Sequence, residues 1–422
     1  MSTRRGACPS LREPMATGDG LLVRLSPAGT GWTPHELSTL AAAAARFGNG
    51  ILEVTSRGNL QIRGLTAESA EGLAKHVEAA AIPLRTGLAI DIGPLAGIDA
   101  EEIANPLPWA RALHEAVEAA GLTARLAPKC AVVIDGGGRL PLDDLIADVR
   151  LAADPEGSNQ WLISVGGTAQ LARPVGSVVE TEAVAAVIGL LETIAAKGQM
   201  ARGRDLTDAD LVSFGPKPLH ASAARANAPV GRFLLADGSL ATAFALPFGQ
   251  LDADTLIAFS AAVADTGASE IRVAPGRGLI VPDLDAETCA ALEAKALALG
   301  FITDAQDSRL RIAACAGAPF CASAHFATRA LGAEIAARAP NLLAGRTLHI
   351  SGCEKRCAEP PAPDFTLLGA EGGCLVLPGE GRHAPATGAV APEEALAALR
   401  RLADTELTHD RPMARETQPA DS

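Results

Sequence analysis

Two short cysteine segments constrain this chain more than any other feature. Cys315-Ala-Gly-Ala-Pro-Phe-Cys321 has five residues between its cysteines and Cys353-Glu-Lys-Arg-Cys357 has three; they hold four of the eight cysteines. The first follows a strand-like run, 309–314, and precedes a helical run, 323–339. The second follows another strand-like run, 346–351, and the turn glycine Gly352. Both pairs therefore belong on strand-end loops, where backbone amides are free and side chains can converge. An iron–sulfur cluster asks for four thiolates and N–H donors around its sulfurs. Gly317, Pro319 and Gly352 keep such loops tight and let backbone approach a bulky inorganic core. A helix N-terminus just after Cys321 would favour the cluster's negative charge. Structural zinc usually prefers pairs about two to four residues apart. Buried core thiols and disulfides also agree with the spacing taken alone.

At 422 residues the chain has room for several domains with ample core. The net charge of −13 argues against a nucleic-acid or anionic-membrane partner, yet leaves room for a local basic pocket. Met1-Ser-Thr-Arg-Arg5 is basic, but no apolar segment follows as in a secretory signal. No apolar stretch approaches the roughly 20 residues that span a bilayer. Cysteines in such a chain read as reduced thiols and metal ligands, so the cytoplasm is the expected compartment.

Residues 1–20, punctuated by Gly6, Pro9, Pro14 and Gly18, read as an extended segment. From 21 to 85 the pattern runs strand, helix, hairpin, helix, which suggests half of a ferredoxin-like α+β unit. Thr33-Pro34-His35-Glu36 opens the first helix with an N-cap, a proline at the first helical position and a capping-box glutamate. Gly48 is expected as its C′ residue. Residues 86–200 read as a second α+β domain, and 201–228, rich in small residues and holding Gly215-Pro-Lys-Pro218, as a linker. Residues 229–298 repeat the first half: 270–284 lies over 51–65, fifteen residues without a gap, each a strand, a turn carrying Gly and Arg, and a strand. Such a repeat implies a duplicated architecture, although two unrelated hairpins can look alike. Residues 299–403 form the cysteine-bearing domain, and the polar 404–422 reads as a disordered tail.

Arg24 lies at the end of the first strand, Arg57 on a hairpin turn with Asn59, and Gln61 and Arg63 alternate along the next strand. Lys129 precedes another strand. Arginine forks at converging strand ends suit carboxylates. Taken singly, each of these basic residues reads as a solvated surface charge.

The cysteine segments resemble the cluster motif of the sulfite and nitrite reductase superfamily, and 349–357 is very like its second half-motif. Within the superfamily, Cys315 to Ser323, the opening 5–20 and Pro94-Leu-Ala-Gly-Ile-Asp99 are most similar to precorrin-3B synthases. The resemblance covers most of residues 5–400. It implies a duplicated fold of two paired ferredoxin-like half-domains plus two α/β cofactor-binding domains. It also implies a 4Fe–4S cluster on Cys315, Cys321, Cys353 and Cys357, and a mononuclear non-haem iron. For the iron ligands no pattern stands out; His325, His349, Glu354 and Glu359 lie near the cysteines in sequence and His220 in the linker, and each reads as structural rather than as a ligand. Cys130, Cys289 and Cys374 are expected as core or surface thiols, and Cys8 as a buried or free one.

Thr55 to Gly64 resembles the superfamily's first tetrapyrrole-contacting hairpin, so Arg24, Arg57, Asn59, Gln61, Arg63 and Lys129 become candidate substrate-binding residues. Two basic residues of the reductases have no counterpart: Ala131 replaces a lysine, and the arginine expected around 89–93 is missing. The implied activity is an O2-dependent monooxygenation of precorrin-3A, a carboxylate-rich tetrapyrrole, at carbon 20 with γ-lactone formation. The electron donor would be one such as NADH acting through a reductase. The alternative is a sirohaem-dependent sulfite or nitrite reductase, in which Cys357 would bridge cluster and sirohaem. A non-catalytic tetrapyrrole-binding module is a third reading.

Overall fold

The structure is a computed structural model that describes residues 9–156, 159–212, 229–360, 362–379 and 388–409. The chain separates into two compact units, Met1–Ala305 and Gln306–Ser422. Among the described residues no helix is long and apolar enough to cross a membrane.

The first unit begins with β1 (Met15–Thr17), β2 (Gly20–Leu25), α1 (Pro34–Phe47), β3 (Ile51–Val54), β4 (Leu60–Leu65) and α2 (Ala67–Ala79). Part of the expected extended segment is thus a strand, because β1 folds back antiparallel onto β2. The capping box on α1 is formed: Glu36 N–H donates to Thr33 Oγ1 at 3.2 Å, and Thr33 N–H to Glu36 Oε2 at 2.8 Å. Leu37, Leu40, Ala41 and Ala44 then present one buried face at helical spacing. Gly48 does end α1, but not in the left-handed region, since its φ is −108°. Glycine is needed there because a Cβ would strike the Arg63 carbonyl oxygen.

Next come β5 (Ala89–Ile92), α3 (Leu107–Ala119), β6 (Ala131–Asp135), β7 (Ala147–Ala153), β8 (Gln160–Gly167), β9 (Arg173–Val179), α4 (Ala183–Ala196) and α5 (Asp208–Leu211). They build one sheet, β5-β6-β7-β8-β9, parallel in its first three strands and antiparallel in the rest. The start of the expected linker is folded: Arg202 Nε and Gly203 N–H both donate to buried Asp148, each at 2.8 Å. The remainder, 213–228, lies outside the described residues.

The second half-domain follows as β10 (Gly231–Leu234), β11 (Leu240–Ala245), β12 (Gln250–Asp252), α6 (Ala253–Asp265), β13 (Arg272–Ala274), β14 (Gly278–Leu284) and α7 (Ala286–Ala298). The duplication is visible in the strand order, β2-β4-β3 against β11-β14-β13. It is visible again in how the halves exchange contacts. Trp32, just before the α1 N-cap, bridges Ile271, while Leu251, just before the α6 N-cap, pairs with Leu52. Leu52 and Ile271 are the same position of the gapless repeat. One continuous core runs through both halves, including Trp32, Leu37, Ile62, Phe244, Phe259 and Phe301.

The second unit holds β15 (Ile312–Ala314), α8 (Thr328–Arg338), β16 (Leu348–Ser351), β17 (Phe365–Ala370), β18 (Gly373–Pro378) and α9 (Ala395–His409). Its sheet, β15-β16-β17-β18, is again parallel and then antiparallel, with a helix between its first two strands, as in β5-α3-β6. The expected strand at 309–314 is only its last three residues, because Asp307 caps a short 3-10 turn over Ser308–Arg311. The expected tail begins inside α9; 410–422 lie outside the described residues.

Candidate functional site

β15 and β16 are parallel neighbours with Ala314 opposite Ile350. Parallel register sends both chains out of the sheet at the same edge. Cys315 leaves β15 directly, with its N–H still bonded to Ile350 O at 3.0 Å, and Gly352-Cys353 leaves β16 directly. Two cysteine pairs separated in sequence thus start from adjacent strand ends.

The loops are fastened to each other by backbone groups. Gly352 N–H donates to Cys315 Sγ at 3.2 Å, and His325 N–H donates to Gly352 O at 2.8 Å. A Cβ on Gly352 would stand 2.6 Å from Ala324 Cβ. Gly317 holds φ at 65°, and a side chain there would strike Thr328. The helix expected to begin after Cys321 begins instead at Thr328. The intervening residues spend their hydrogen bonds across the loop, as Ala318 N–H to Phe326 O at 3.0 Å. The helix N-terminus therefore serves Cys315: the Thr328 hydroxyl donates to Cys315 O at 2.8 Å and lies 3.9 Å from its sulfur.

Cys357 sits between Arg356 and Ala358, with left-handed φ of 50° and 66°. Such residues cost about 1–2 kcal/mol each, which the surroundings must offset. Arg356 Nη1 donates to Glu359 Oε1 at 2.9 Å, and the buried His349 ring lies with Nε2 3.1 Å from Cys357 O. Cys315 and Cys353 are buried, Cys321 is half-buried, and Cys357 is exposed as a residue. Protein packed around its sulfur nevertheless pushes the Cys357 thiol up, and Cys315, Cys353 and Cys321 push it the same way. The fourth cysteine therefore lies within electrostatic reach of the other three. Among the described residues no three His, Cys, Asp or Glu side chains stand together as ligands of a single ion. A four-iron cluster does not require that, since each thiolate binds a different iron. Cys130, Cys289 and Cys374 are buried, and Cys8 and His220 lie outside the described residues.

The candidate substrate-binding residues belong to the first unit and divide into two groups. Arg24, Gln61 and Glu53 stand opposite one another across β2, β4 and β3. With its amide turned to satisfy both ends, Gln61 accepts from Arg24 Nη2 at 2.8 Å and donates to Glu53 Oε2 at 3.2 Å. Arg63 is gripped by Asp19 at 2.9 Å and Glu53 at 3.0 Å. Burial pulls its pKa down, but the Asp19 hydrogen bond and the charge of Glu53 outweigh that and raise it. Its guanidinium is committed to the fold.

Arg57 and Asn59 lie instead in the wall of a solvent-open cleft shared with Arg85, Asp91 and Gly93. Arg57 Nη2 donates to Asp91 Oδ2 at 2.6 Å and Nη1 to Ile146 O at 2.8 Å. Lys129 is exposed and does not line this cleft. Arg85 and Asp91 were not singled out by the sequence reading. The gap noted at 89–93 was the available signal, since Asp91 sits there as partner of Arg57.

Residues 13–80 match the model of the nitrite/sulfite reductase ferredoxin-like half domain. A curated protein of Sinorhizobium sp. named Precorrin-3B synthase is 42% identical over 393 residues, 91% of this chain and 85% of that relative. Among solved structures, the Mycobacterium tuberculosis NirA protein superposes with a TM-score of 0.70 over 94% of this chain and 82% of that one. At 20% identity that likeness speaks for the fold.

Proposed function

This chain belongs to the precorrin-3B synthase family, and on that premise we propose that it is an oxidoreductase hydroxylating precorrin-3A at carbon 20. The neighbouring ring-A acetate then closes the γ-lactone of precorrin-3B. The observation that carries this is 42% identity sustained over 91% of the chain, far beyond what a shared hairpin would produce. Dioxygen and a reductant, such as NADH acting through a reductase, are the proposed co-substrates. The proposed compartment is the cytoplasm, where thiols stay reduced.

The cysteine loops fit an iron–sulfur cluster. Cys315, Cys321, Cys353 and Cys357 would hold it, and the Gly352 N–H on Cys315 Sγ is the kind of donor that tunes such a centre. A 4Fe–4S cluster, when bound, supplies one-electron transfer between the reductant and the oxygen chemistry. The protein's own part is to hold the substrate. Arg57 and Asn59 line a polar cleft that can receive carboxylates, with Arg24, Gln61 and Lys129 as further proposed contacts. Arg63 would act indirectly, by fixing Glu53 and so Gln61.

A sirohaem-dependent reductase is disfavoured by one contact. Anion reduction in that class relies on a dense cationic cluster, whereas here Asp91 occupies the segment of a missing arginine and pairs with Arg57. Aerobic incubation with precorrin-3A, a reductant and labelled dioxygen should yield precorrin-3B carrying the label. Anaerobic turnover of sulfite or nitrite, without that product, would refute the proposal.

A further inference from the structure

We propose that the cleft beside the Arg57 hairpin captures one carboxylate arm of the tetrapyrrole, and that Arg85 is its main donor. The inference rests on the function proposed above and adds a residue that no motif assigns.

Two guanidinium groups share one carboxylate in this cleft. Asp91 Oδ2 takes Arg57 Nε at 3.2 Å and Nη2 at 2.6 Å; Asp91 Oδ1 takes both terminal nitrogens of Arg85 at 3.3 Å. Glu270, which bonds Thr30 in the cleft wall, is paired with Arg272 at 2.8 Å. Two cations against the one anion they share leave an excess positive charge here, in a chain whose net charge is −13.

The two arginines are not held alike. Arg57 is tight on Asp91, whereas Arg85 is close only to Ile90 O, at 2.7 Å, and reaches Asn59 Oδ1 at 3.5 Å. Its Nε has no partner among the described residues, and a guanidinium carries five donors. Arg85 can therefore turn towards an incoming anion while Arg57 keeps buried Asp91 paired.

The cleft also has room left by glycine. A Cβ at Gly29 would meet nothing within 4 Å, and one at Gly93 only Leu140 O at 3.9 Å. Neither glycine has positive φ, so the backbone does not require it. A planar two-oxygen group matches a guanidinium fork, and the acetate and propionate arms of the proposed substrate are such groups.

The test is equilibrium binding of precorrin-3A to the cluster-loaded protein under anaerobic conditions, with steady-state kinetics in air alongside. Arg85→Ala should raise Kd and KM about tenfold, the low end for a charge-assisted contact at a part-exposed site. The cluster spectrum and kcat should stay near wild type. Arg85→Lys should recover part of the loss, and Gly93→Leu should weaken binding by filling the space with no change of charge. Wild-type Kd in both Arg85→Ala and Gly93→Leu, beside a wild-type enzyme that turns precorrin-3A over, would overturn this inference and leave the function standing. A wild-type protein that neither binds nor converts precorrin-3A would overturn both.

Discussion

Replacing Gly352 by alanine tests whether the two cysteine loops form one unit. The new Cβ would sit 2.6 Å from Ala324 Cβ, about 1 Å inside an ordinary carbon–carbon contact of roughly 3.5–4.0 Å. Neither loop can move freely, because Gly352 N–H is on Cys315 Sγ and Gly352 O accepts from His325 N–H. Overpacking of this kind costs about 1–3 kcal/mol. It should lower the thermal midpoint of the apo-protein and the iron retained on reconstitution. Gly388→Ala, whose Cβ meets nothing within 4 Å, is the matched control and should change stability by no more than about 0.5 kcal/mol. Ala324→Gly placed in the Gly352→Ala background removes the colliding atom. The double mutant should regain at least half of the loss, as a coupling of about 1–2 kcal/mol. Calorimetry with an iron assay on these four proteins and on Ala324→Gly alone decides it. If Gly352→Ala keeps full iron and the wild-type midpoint, the loops are not packed as described.

Three further outcomes follow from single sites. Burial, with Asp99 and Asp135 adding repulsion, pushes the Glu102 carboxyl up to about 7 from its ordinary 4.5. Its stabilisation is therefore present below about pH 4.5 and lost as pH rises through about 7. Glu102→Gln should match wild type at pH 4 and exceed it at pH 8, by on the order of 2 kcal/mol in urea titrations; equal stability at both would refute this. Asp19→Ala leaves Arg63 with Glu53 alone and should cost about 2 kcal/mol of stability, with loss of substrate affinity but no loss of stability being the contrary result. Burial, with Glu393 adding, pushes the Cys374 thiol up to about 11, so at pH 8 iodoacetamide should modify it only as fast as the protein unfolds. Rapid alkylation of native protein would contradict that.

Much of this architecture was legible in the sequence because the signals were local. The capping box at Thr33–Glu36 and the alternation Leu60, Gln61, Ile62, Arg63 fixed a helix start and the faces of a strand. The repeat was legible because Leu52 and Ile271 occupy equivalent positions in two like hairpins. What escaped was set by distant partners. Gly48 carries the mark of a left-handed cap, but its need is a close approach by Arg63. The residues after Cys321 have helical composition, yet cross-loop bonds to Gly352 and Phe326 hold them open until Thr328. Arg63 reads as a free cation until Asp19 folds back on it, and Arg85 gains meaning only beside Asp91. A sequence shows charges, but not which of them the fold consumes.

The most direct measurement is electron paramagnetic resonance, with iron and sulfide analysis, on reduced protein prepared without oxygen. Wild type should carry one 4Fe–4S centre, with about four cluster iron atoms and about four sulfides per chain, and Cys353→Ser should lose the signal. A signal unchanged in Cys353→Ser, or a chain that takes up no iron while fully folded, would contradict the account.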